Sequence, residues 1–152
     1  MKSEIEVHQK VERKNYIIKT HKKGITYNKP HLFILNKGLN SGKPSKEEIV
    51  NSYIVIFENK EDCDNIYHIT EMLWKSKFWH RNLYGSVIPF LRISDFIKEF
   101  SKKVDEMLND FEQHQKDMAA LKILVSKEEQ FKENIVLIND LKRAILHRYC
   151  KK

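Results

Sequence analysis

The chain has 152 residues, 41% of them hydrophobic and 32% charged, with a net charge of +7. That length suits one domain, or a core with a helical appendage, and the composition excludes a disordered polymer. No apolar run approaches the ~18 residues of a membrane span, and the opening "MKSEIEVHQK" lacks the apolar centre of a signal peptide.

The first fifty residues carry eleven Lys and Arg against five Asp and Glu, so the positive charge is concentrated there. Lys10, Arg13, Lys14, Lys19, Lys22, Lys23, Lys29, Lys37, Lys43 and Lys46 supply it. Such a patch attracts polyanions through phosphate contacts and counterion release. Lysine outnumbers arginine, and arginine is the better reader of bases, so sequence-specific reading of DNA is not expected, and non-specific or partner-mediated contact with RNA, DNA or an acidic protein stays open.

Along the chain, "NYIIKTHKKGITY" reads as a β-hairpin turning at Gly24. "HLFILN" at 31–36 and "SYIVIF" at 52–57 are apolar on both faces, as central strands are. A helix follows from about Ile66 to Leu83 with Gly85 as its C-cap, then an edge or bulged strand over 86–93, where Pro89 interrupts. From Ser94 the apolar residues Ile97, Phe100, Val104, Met107, Phe111, Met118, Leu121 and Val125 recur at spacings of 3 and 4 along a helix of about thirty residues, His114 among them. "SKEE" at 126–129 has the form of a capping box, which predicts a second helix. Its face of Phe131, Ile135, Ile138, Leu141, Ile145 and Tyr149 would pack on the core or dock a partner, a second copy included. The expected fold is α+β: a small, mainly antiparallel sheet with a covering helix over 1–93, then an antiparallel helical hairpin over 94–152.

"NKGLNSGKPS", 36–45, has the look of a phosphate loop but fails its spacing. Three residues separate Gly38 from Gly42 where four are required, and Pro44 stands where the magnesium-binding hydroxyl belongs. Lys37, Asn40, Ser41 and Lys43 could still touch a nucleic-acid phosphate without catalysis. Trp74, Trp79, Tyr84 and Phe90 interleave with Lys75, Lys77, His80 and Arg81, either as core packing or as a stacking surface for single strands. The seven histidines show no zinc spacing. "RAILH" at 143–147 has one residue too few for the Arg-x₄₋₆-His pattern of helical ribonucleases. Cys63 and Cys150 are too few for a disulfide framework and fit a reducing cytoplasm. No catalytic residue, metal or cofactor is therefore expected. The expected binding residues for nucleic acid or an acidic partner are Lys19, Lys22, Lys23, Lys37, Asn40, Ser41, Lys43, Lys46, Lys75, Lys77 and Arg81.

"FILNKGLNSGKP", "NSYIVIF" and "LWKSKFWHRNLYGSVIPFLRI" together resemble a family of small uncharacterised proteins from mobile elements and phages of Bacteroidota. The resemblance covers roughly residues 31–100. Relatives often carry Pro and Cys before the second strand, where this chain has "EEIVNSY", so a role for those cysteines does not transfer. The resemblance implies an accessory protein of an invading element, active in the bacterial cytoplasm on a nucleic-acid-handling machine. An anti-CRISPR protein contacting a CRISPR nuclease or its guide RNA is one such role. A stand-alone RNA- or DNA-binding protein, or a small nuclease using His80 or His114, are the alternatives.

Overall fold

The computed structural model describes residues 15–151. The opening segment, with Lys10, Arg13 and Lys14, lies outside the described residues. The chain divides into two compact units at Ser101/Lys102.

The first unit is built on a four-stranded antiparallel sheet of order β1-β4-β2-β3, from β1 (Tyr16–Thr20), β2 (His31–Leu35), β3 (Pro44–Ser45) and β4 (Ser52–Phe57). The two strands expected to be central, β2 and β4, are central and paired, with Phe33 opposite Ile54 and Ile34 opposite Tyr53. Leu32, Ile34, Ile54 and Val55 are at most 1% exposed, as burial on both sheet faces requires. The expected hairpin at Gly24 does not form. Residues 25–27 are not a strand, and β1 pairs instead with β4. The apolar match of Ile18 to Val55 along β4 outweighs the local turn signal.

Tyr16, Tyr53 and Phe57 share one face of the sheet. There Tyr53 stacks on Phe96 and Tyr16 meets Phe100 edge-on, both partners lying on α2 (Ile93–Asn109). On the opposite face the rings of His21, Tyr27 and His31 surround Phe33. The first helix, α1 (Lys60–Lys75), starts earlier than expected because Asn59 caps it, its side chain accepting from the Asp62 amide. It buries Cys63, Ile66 and Thr70.

This helix ends at Ser76, not near Leu83. Lys77 takes a left-handed conformation (φ 59°), and a 3₁₀ turn over Phe78–Asn82 follows. Gly85 belongs to the turn between two short strands, β5 (Leu83–Tyr84) and β6 (Phe90–Leu91), so the strand expected over 86–93 shrinks to two residues. Tyr53 Oη donates to the Leu91 carbonyl at 2.5 Å and ties this small ribbon to the core.

In the second unit the helix break expected at 126 is not found. The helix break lies at Asp110, and α3 (Phe111–Cys150) runs 40 residues straight through Ser126. Asp110 leaves helical geometry (φ −127°, ψ 63°) and its carboxylate accepts from the Gln113 amide. "SKEE" makes a cap only where the backbone leaves the helix, and no Gly or Pro around 126 forces it to leave. Every described residue from Ser126 to Lys151 is exposed.

Candidate functional site

Antiparallel pairing of β4 with both β1 and β2 makes those two strands parallel, so their C-terminal ends lie at one end of the sheet. The His21 amide donates to the Ser52 carbonyl and the Asn36 amide to that of Asn51, which seats both following loops beside the start of β4. The C-terminal end of α1 reaches the same place, since Lys43 lies over the Trp74 ring at 5.0 Å. The β5–β6 ribbon joins through a Lys37–Phe90 bridge and the Leu91 amide on the Asn36 carbonyl. Two loops, the end of α1 and the β5–β6 ribbon thus converge on one end of the sheet, and most of the expected binding residues are among them.

Within the 36–43 loop, the amides of Gly38, Ser41, Gly42 and Lys43 donate to the carbonyls of Pro89, Gly38, Leu35 and Asn40. An anion cradle needs such amides free and convergent, and these are spent on the loop and the segments beside it. Ser41 is buried with its Oγ bonded to the Gly38 carbonyl at 2.6 Å, so the expectation that it touches a partner is corrected. Gly42 has φ +94°, and a Cβ there would lie 2.0 Å from Trp79 Cδ1. The loop is a compact turn sealed by an indole. Lys37, Leu39, Asn40 and Lys43 remain exposed on its outer side.

The aromatic cluster of the sequence divides. Trp79 is 1% exposed and packs against Phe78 and Phe96, as core does. Tyr84 and Phe90 are each 39% exposed, and their rings lie 6.1 Å apart on the β5–β6 ribbon. The Arg92 guanidinium stacks over Tyr84 at 3.5 Å, and Val87 and Ile88 stand exposed at the ribbon tip. Arg92, Val87 and Ile88 were not among the expected site residues. Only the structure separates a tip valine from a core one.

The expected basic residues differ in how free they are. Lys46 pairs with Asp64 and covers Tyr67, Lys75 pairs with Glu71, and Arg81 pairs with Glu99 while stacking on Phe78. Lys19, on β1, lies over Tyr27. Lys22, Lys23, Lys37 and Lys77 make no ion pair among the described residues. The turn carrying Lys22 and Lys23 is pinned from beneath. Buried His21 is 3.0 Å from the Tyr27 hydroxyl and 2.8 Å from Glu48 Oε1, which also accepts the Gly24 amide. That amide first, and His21 second, hold the Glu48 carboxyl below the usual carboxylate range.

The histidines considered for catalysis are separately placed. His80 Nε2 is 3.1 Å from the Leu39 carbonyl. His114 is buried, its Nε2 lacks a hydrogen-bond partner, and burial lowers its pKa against an opposing effect from Asp117. No group of three or more metal-ligating side chains occurs among the described residues. The Cys63 thiol is buried and pushed up to about 11, chiefly by desolvation, which keeps it protonated near neutrality; both cysteines are free. No helix among the described residues is long and apolar enough to cross a membrane. On α3, Phe131, Ile135, Ile138, Leu141, Ile145 and Tyr149 are 52–83% exposed, so that face is not core.

Fold and site define a small α+β protein with a basic, ring-bearing loop end and a long exposed helix. The chain belongs to a family of unknown function (DUF6943), whose profile it matches over residues 18–148. Neither a curated protein nor a solved structure matches it.

Proposed function

We propose that the chain is a non-enzymatic binding protein that engages single-stranded nucleic acid, within a nucleoprotein, through the loop end of its sheet. The observation that carries this reading is the pairing of two half-exposed rings, Tyr84 and Phe90, with lysines that have no ion pair among the described residues. Lys37 sits directly across from Phe90, and β1, which leads into the turn of Lys22 and Lys23, lies two strand spacings from β2, about 10 Å. Rings that stack on bases beside cations that follow phosphates are the elements of single-strand binding without sequence preference. Lysines with no ion pair among the described residues gain more from a polyanion than Lys46, Lys75 or Arg81, which must first leave their own carboxylates.

The provenance expected from the resemblance, a mobile element or phage of Bacteroidota, extends this reading to a host nucleic-acid machine in the bacterial cytoplasm. A CRISPR nuclease with its guide RNA, inhibited by an anti-CRISPR protein, is one such target. A gel-shift titration with labelled single-stranded RNA and DNA at several salt concentrations tests the surface itself. Reversing Lys22, Lys23 and Lys37 to Glu should weaken binding at least tenfold at low salt and flatten its salt dependence. Tyr84→Ala with Phe90→Ala should weaken it by a further 1–3 kcal/mol or so per stacked base, with the salt slope unchanged. Full retention of binding in both variants would sink the assignment.

A further inference from the structure

The second half of α3 exposes a run of large apolar side chains. With 3.6 residues per turn, Leu124, Phe131, Ile135, Ile138, Ile145, Leu146 and Tyr149 fall within roughly 100° of one another and form a continuous stripe. Each is 52–83% exposed. The buried side of the same helix lies elsewhere. His114 and Met118 are buried, with Leu121 and Val125 half-buried, on a face rotated by about 100° from the stripe. Continued past Val125, that inward face carries Lys132, Val136, Asn139, Arg143 and Cys150, mostly polar. No described residue past Val125 is buried, and most of the apolar side chains there lie off the inward face.

Charged residues also fall within the stripe's span, with Lys127 on its edge at the angle of Ile145. Glu128 falls between Leu124 and Phe131, and Lys142 between Ile138 and Ile145, each seven residues from Ile135. Glu128 also meets Lys132 at 3.1 Å, whereas Lys142 makes no ion pair among the described residues. The wider charge follows the same division. Residues 127–133 carry one net negative charge, and residues 140–151 carry three net positive ones with His147 neutral.

We infer that this stripe is the interface of an antiparallel homodimer, with the twofold axis passing beside Ile135. In that register Glu128 of one copy comes opposite Lys142 of the other, twice per dimer, and the acidic and basic halves of the helices face each other. A parallel pair sets Glu128 on Glu128 and Lys142 on Lys142. The seven apolar side chains offer on the order of 700 Å² per copy, the scale of a standard specific interface. An exposed apolar helical segment of this length draws its stability in water from packing, and a second copy supplies it.

Sedimentation equilibrium of the full chain should show a monomer–dimer equilibrium. Glu128→Lys alone and Lys142→Glu alone should each weaken the dimer roughly tenfold, and the double reversal should restore it. Ile135→Lys with Ile138→Lys should abolish it without disturbing the core, because both residues are exposed in the single chain. A spin label on exposed Cys150 should report a separation of about 45 Å across the dimer, since Cys63 is buried and stays unlabelled. A monomer at every concentration overturns the inference. Single reversals without effect, or labels within ~20 Å, overturn the antiparallel register. None of these results bears on nucleic-acid binding, which is read separately by gel shift.

Discussion

Gly42 shows how one residue fixes the candidate site. Its φ of +94° is a conformation L side chains rarely adopt, and the space its Cβ would need is filled by Trp79. Gly42→Ala combines backbone strain with overpacking against a buried indole, and should lower stability by about 3 kcal/mol. Urea denaturation of the variant measures it. Gly24→Ala is the matched control, since Gly24 also has positive φ (+84°) but meets nothing within 4 Å. Its smaller loss isolates the backbone contribution. Tyr84 and Phe90 show the converse, rings that the ribbon leaves half uncovered, and only such rings can accept a base on a face.

At the scale of elements, the first half of α3 contains a group that titrates. Burial holds His114 below the ordinary histidine value of 6.5, so the folded chain binds the proton more weakly than the unfolded chain does. Its contribution is whole above about pH 6.5 and is lost as pH falls below that value, levelling off once the folded pKa is passed. Urea midpoints followed by far-ultraviolet circular dichroism should therefore decline between pH 7.5 and 5. His114→Leu should remove that part of the decline, and an identical pH profile in the variant would refute the assignment.

The central strands were legible because burial on both faces leaves an unbroken apolar run, and "HLFIL" and "SYIVIF" have one. The break at Asp110 was not legible. Asp110 sits between Met107 and His114 in a continuous 3–4 spacing, whereas "SKEE" presents a complete capping pattern at a place where the helix simply continues. Local patterns state which caps are possible, and the backbone uses only those where it turns.

For the whole molecule, the sequence located the positive charge but not which lysines are free to use it. That distinction depends on carboxylates distant in sequence, such as Glu99 beside Arg81 and Asp64 beside Lys46. The meeting of these segments at one sheet end was likewise hidden, because it follows from β1 pairing with β4 across thirty-one intervening residues rather than with its neighbour. The basic stretch and the aromatic stretch, read separately along the chain, become one surface only through that pairing.

The seal between Gly42 and Trp79 has a consequence for the family as a whole. Two positions 37 residues apart share one volume, so they cannot vary independently. Members with a large ring at the position of Trp79 should keep glycine at the position of Gly42. Where glycine is replaced there, the ring should be smaller or the loop a different length. The 36–43 loop and the segment after α1 would then be inherited as a single unit, and a transplant of either into another scaffold should fail without its counterpart.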